Sequence, residues 1–93
     1  MNNNKILTRK TMVKNELGMH ARPASKIAQM AKEAVSDVWL CIGLRKNDAS
    51  SIIDILSMCA VKGTQISVEI ENKADLLILD QIVDFFESGF GET

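Results

Sequence analysis

The chain has 93 residues, 46% hydrophobic and 25% charged, the balance of an ordinary globular protein with one core. A formal net charge of -1 leaves no basic excess to neutralise a phosphate backbone, which argues against a nucleic-acid partner. No signal-like apolar leader opens the sequence, and no apolar run approaches the roughly 20 residues that a membrane helix requires. One domain over residues 1–93, a cytoplasmic location and no membrane partner are therefore expected.

Met1–Lys5 reads as a loose polar lead. A strand is expected over Leu7–Val13, where Leu7, Thr11 and Val13 alternate weakly with charged neighbours. Asn15-Glu16-Leu17-Gly18 is a polar connection closed by a turn glycine. A helix begins just after His20, and Pro23 fits its first turn, where amides have no intrahelical acceptor. Ala24, Ile27, Ala28, Ala31 and Val35 recur at helical spacing and form a narrow, alanine-rich stripe suited to close packing on a sheet.

Asp37–Ile42 reads as a second strand, and Gly43–Lys46 holds a turn and a short edge strand. Asn47, Asp48, Ser50 and Ser51 are cap residues that introduce a short helix from about Ser51 to Met58, and Lys62-Gly63 closes that segment. Gln65–Glu71 alternates cleanly, with Ile66, Val68 and Ile70 on one face and Ser67 and Glu69 on the other. Asn72–Asp75 caps a last helix whose buried stripe is Leu76, Leu79, Ile82, Val83, Phe86 and Phe90, with Gly89 as its stop. Strands with helices gathered on one face define a two-layer α+β sandwich. Cys41 and Cys59 match no zinc or redox spacing and read as small buried hydrophobes, with no metal site.

The informative segment is Gly18-Met19-His20-Ala21-Arg22-Pro23-Ala24-Ser25, which holds the chain's one histidine. His20 stands at or beside the N-cap of the first helix, where free amides and the positive end of the helix dipole converge. An anion attached to His20 would meet the amides of Ala21 and Arg22, and the Arg22 guanidinium adds a bidentate donor. Each charge-assisted bond contributes about 1.5–3 kcal/mol and the dipole roughly 0.3–1 kcal/mol. That suits a phosphoryl group held for transfer, and imidazole is itself a nucleophile at neutral pH. The spacing alone is equally open to a surface histidine that merely starts a helix. With no second histidine or catalytic cysteine beside it, a hydrolytic triad is disfavoured.

The segment Gly18–Ala24 closely resembles the active-site signature of the HPr family, the histidine-containing phosphocarriers of the bacterial sugar phosphotransferase system. The family usually reads Gly-Leu-His-Ala-Arg-Pro-Ala, and only Met19 departs. Ser51-Ile52-Ile53-Asp54-Ile55-Leu56 with Lys62-Gly63-Thr64 resembles the family's second motif at the expected distance, and the resemblance spans about Leu7 to Phe90. It implies the βαββαβα fold, a four-stranded antiparallel sheet with three helices on one face. It also implies a monomeric, stoichiometric carrier rather than an enzyme, needing no cofactor. In that reading the Nδ1 atom of His20 accepts phosphate from phospho-Enzyme I and passes it to sugar-specific IIA components, while Arg22 stabilises the transferring charge. Ser51 aligns with the family's regulatory serine, the target of an HPr serine kinase/phosphorylase, and Ser50 or Ser51 caps the short helix in any case. Met19, Ile52, Ile53 and Leu56 are the candidate partner-docking residues, whereas Ile55 reads as core. Gln29, Asp54 and Cys59 depart from residues frequent in the family and bear on partner choice. Two other roles stand beside transport: a regulatory carrier of nitrogen-type phosphotransferase or Ser-phosphorylated signalling, and an interaction domain that has kept the motif unused.

Overall fold

The structure is a computed structural model that describes residues 6–92; the loose lead expected at Met1–Lys5 lies outside the described residues. Chain order runs β1 (Leu7–Met12), α1 (Ala21–Lys32), β2 (Val38–Ile42), β3 (Arg45–Asp48), α2 (Ile52–Ser57), β4 (Gln65–Ile70) and α3 (Leu76–Glu87). The strands form one sheet in the order β1-β4-β2-β3, with every neighbouring pair antiparallel. The alternation of β4 holds as expected: Ile66, Val68 and Ile70 are buried, and Ser67 and Glu69 fall on the opposite face. Leu40 of β2 joins them in the core, beneath Ala24, Ile27, Ala28 and Ala31 of α1, Ile55 of α2, and Leu79, Ile82 and Phe86 of α3. This is the expected open-faced α+β sandwich, with three helices over one face of the sheet.

The departures from the sequence reading lie at element ends. Helix α1 stops at Lys32, and Val35, expected on its buried stripe, is 69% exposed. Buried Asp75 is the physical reason. Its two carboxylate oxygens accept the backbone amides of Val35 (2.8 Å) and Ser36 (3.1 Å), which turn the chain out of the helix and into β2. Asn72 caps a single 3-10 turn, Lys73–Asp75, by accepting the Ala74 amide at 2.9 Å, and α3 then runs from Leu76. Leu76 is partly exposed and Val83 half-buried, because the core stripe narrows to Leu79, Ile82 and Phe86. Phe90 does reach the core, but from a separate 3-10 turn, Gly89–Gly91. Its ring lies 5.1 Å from those of both Phe85 and Phe86.

Cys41 is buried as expected, but Cys59 is exposed. Cys59 directly follows the C-cap of α2, in the left-handed region (φ 51°), at the position where a helix turns away from its axis. Ser51, not Ser50, caps α2: its Oγ accepts the Asp54 amide at 3.2 Å, while the Ser50 hydroxyl donates to Asp48 at 2.7 Å.

Candidate functional site

Three segments meet at the N-terminus of α1. The connection after β1 brings His20 there as the N-cap, in an extended conformation (φ -140°). Gly18 makes this approach possible. It takes a left-handed φ of +69°, and a Cβ on it would lie 2.7 Å from the Ala60 carbonyl oxygen. The Met19 amide then donates to that same oxygen at 2.8 Å, pinning the loop to the segment after α2. Within α1 the first helical bond runs from the Ala24 amide to the His20 carbonyl at 3.0 Å. Pro23 has no amide proton, so Ala21 and Arg22 present the two amides left without an intrahelical acceptor.

The third segment was invisible to local pattern. After α3 and the Phe90 turn, Glu92 returns to the histidine, and its Oε2 lies 2.7 Å from His20 Nε2. The other oxygen, Oε1, accepts from Asn15 Nδ2 at 2.8 Å. Asn15 is buried and its Nδ2 also donates to the Gly18 carbonyl at 2.9 Å, so one amide ties the turn glycine to the carboxylate. The Asn15 hydrogen bond above all, then His20 and the Arg22 charge, hold the Glu92 carboxyl below the usual carboxylate range, against partial burial that works the other way. With Nε2 engaged, Nδ1 is the ring nitrogen without a hydrogen-bond partner among the described residues. The residues line an open cleft of about 850 Å³ formed by Lys14, Asn15, Leu17, His20, Arg22 and Glu92, with neighbours from the same loop. Arg22 forms no ion pair among the described residues, so its guanidinium is available to an anion in that cleft. No group of His, Cys, Asp and Glu able to hold a metal ion occurs among the described residues.

The expected docking residues divide. Ile53 is 79% exposed, Ile52 is partly exposed, and Met19 and Leu56 are half-buried against the core. Ile55 is fully buried, as expected. Two further exposed apolar residues, Leu17 and Val61, lie on the two loops that Gly18 brings together. An apolar residue inside a polar turn was the one available signal for Leu17. Nothing in the sequence pattern marked Asn15 or Glu92. Gln29 and Asp54 are both solvent-facing, so neither supports the core.

Residues 7–88 match the family model described as the PTS HPr component phosphorylation site. The phosphocarrier protein HPr of Chlamydia pneumoniae is 40% identical over 81 residues, which is 87% of this chain and 75% of that protein. The phosphocarrier protein NPr of Proteus mirabilis is 35% identical over 89 residues, covering 90% of this chain and 94% of its own. A crystal structure of HPr-C-His from Thermoanaerobacter tengcongensis has the same fold, with a TM-score of 0.85 and 31% identity over 94% of this chain and 98% of that one. Fold and matched sequence put the molecule in the class of small phosphocarrier domains. The chain belongs to the HPr family of the phosphotransferase system, in which both HPr and NPr proteins are its relatives.

Proposed function

We propose that His20 is the phosphoryl acceptor, receiving the group on Nδ1 from phospho-Enzyme I and passing it to a histidine of a sugar-specific IIA component. The observation that carries this reading is the engagement of Nε2 by Glu92 in a histidine that stands at a helix N-cap position and faces an open cleft. The transferring phosphoryl group is stabilised by the Ala21 and Arg22 amides and by the Arg22 guanidinium, so positioning and electrostatics do most of the work. The protein is a stoichiometric carrier without a cofactor. Exposed Ile53 and its neighbours Met19, Ile52 and Leu56 receive the partners, with Leu17 and Val61 extending the same apolar border. Ser51 is the regulatory site. A phosphate there adds about -1.5 to -2 charge beside Asp54 and the apolar patch, and so weakens docking of acidic partners.

The similarity to an NPr protein favours a second role, a nitrogen-type carrier that signals rather than transports. Transfer to sugar IIA proteins, compared with transfer to a nitrogen-type IIA protein, separates the two.

Incubation with phosphoenolpyruvate and Enzyme I tests the central reading. The expected product is an acid-labile, base-stable phosphoramidate, absent from His20→Ala. Label retained by His20→Ala, or never taken by the wild type, refutes it. Arg22→Ala removes at least one charge-assisted bond and slows acceptance by about 10- to 100-fold with the fold kept. An unchanged rate removes the role assigned to Arg22.

A further inference from the structure

Glu92 is 72 positions from His20 in sequence, yet its carboxylate meets the ring at 2.7 Å. The contact is held at both ends. Asn15 grips the other carboxylate oxygen at 2.8 Å, and buried Phe90 anchors the turn that delivers Glu92. Asn15 is oriented for this. Its Nδ2 is shared between Gly18 and Glu92, while its Oδ1 is buried without a partner. A buried amide with one unmatched acceptor costs stability. The alternative amide orientation would turn that oxygen towards the Gly18 carbonyl and the Glu92 carboxylate, so the donor contacts decide the orientation.

We propose that Glu92 is a positioning residue: its carboxylate, held by Asn15, accepts the Nε2 proton of His20 and so keeps the lone pair on Nδ1, the nitrogen that attacks phosphorus. The hydrogen bond made by one imidazole nitrogen decides which tautomer the other presents. The device is the one by which a buried carboxylate orients a catalytic histidine in hydrolytic triads, used here without a serine. In the step itself the Nδ1 lone pair forms the new N–P bond as the donor's bond to phosphorus breaks, and that bond's electron pair stays with the donor. The Nε2 proton is not transferred. The ring becomes cationic, and the Glu92 carboxylate faces the new charge. Passing the phosphoryl group on returns the lone pair to Nδ1 and the ring to neutrality. Lys14, Glu16 and Arg22 also line this cleft, but none of them hydrogen-bonds Nε2.

The inference rests on the phosphoryl-acceptor reading, so its test must not depend on Enzyme I. Chemical phosphorylation with phosphoramidate supplies that independence. Phosphorus and nitrogen NMR then show which ring nitrogen carries the group. The wild type is expected to be labelled on Nδ1 and to show a downfield, slowly exchanging Nε2 proton before labelling. Glu92→Ala is expected to lose that proton signal and to take a substantial share of label on Nε2. Glu92→Gln, which keeps the shape and one acceptor, shifts the same way by less. Acceptance from phospho-Enzyme I is expected to fall about tenfold in Glu92→Ala with its melting temperature little changed. If the wild type is labelled on Nε2, or if the label distribution and the proton signal are the same in all three proteins, the assignment to Glu92 is overturned. A wild type that labels on Nδ1 in a Glu92-dependent way, yet takes no phosphate from Enzyme I, upholds the positioning role and refutes the carrier reading.

Discussion

Cys59 occupies a backbone position that L side chains avoid. It follows the C-cap of α2 at φ 51°, where its amide donates to the Leu56 carbonyl at 3.1 Å. A non-glycine residue in that region costs about 1–2 kcal/mol. Glycine would relieve this while adding about 0.4–1 kcal/mol of unfolded-state freedom to be lost on folding. Cys59→Gly should therefore stabilise the protein by a net gain of about 0.5–1 kcal/mol and raise its melting temperature by several degrees. A lowered or unchanged melting temperature would show that the thiol has a packing role that its exposure hides. Gly18 is the opposite case. Its left-handed φ and its approach to the Ala60 carbonyl leave no room for a Cβ, so Gly18→Ala must displace the loop that carries His20.

Helix α2 has only six residues, so its cap matters more to it than a cap does to a long helix. The Ser51 hydroxyl satisfies the Asp54 amide at the point where an incoming phosphate would also sit. Ser51→Ala should cost about 1 kcal/mol of stability, measured by urea unfolding. Ser51→Asp should cost little, because aspartate caps as well as serine does, while it introduces a negative charge beside exposed Ile53. If the two variants are equally destabilised, the hydroxyl does not act as a cap. If Ser51→Asp docks acidic partners as well as the wild type does, charge at this site does not regulate. Helix α1 shows that an element's end can also be imposed from a distance, since Asp75 takes two of the amides that would otherwise continue it.

Across the molecule, α3 runs beside β1 in the same direction, and a charged seam ties them together. Arg9 pairs with Asp80, and further along Thr11 and Lys14 both bind Glu87. The seam ends at the site, where Asn15 and His20 bind Glu92. Lys14 foremost, then Thr11, lowers the Glu87 carboxyl, and Asn15 foremost lowers that of Glu92. A carboxyl lowered on folding contributes stability that is complete above its unfolded value and is lost as pH falls through its folded one. The melting temperature should hold from neutral pH down to about 4.5, the ordinary value, and then decline. Glu87→Gln has no carboxyl to protonate, so its decline should be shallower. An identical pH profile in the two proteins would show that the seam contributes nothing to acid stability.

The four strands, the three helices and the central part of each inward face were legible in the sequence because each rests on a local rule. Period-two alternation exposed β4, helical spacing exposed the buried face of α1, and cap residues placed α2 and the start of α3. The helix N-terminus marked His20 and Arg22 as a candidate anion site, and the resemblance of Gly18–Ala24 to the HPr signature, not a local rule, pointed from there to phosphoryl transfer. What only the tertiary structure decided were contacts between residues far apart in the chain: where α1 ends, where Phe90 packs, and that Glu92 reaches His20. No local rule carries these. They follow from sheet pairing and from α3 lying along β1, which bring distant polar groups close enough for burial and hydrogen bonding to select among them.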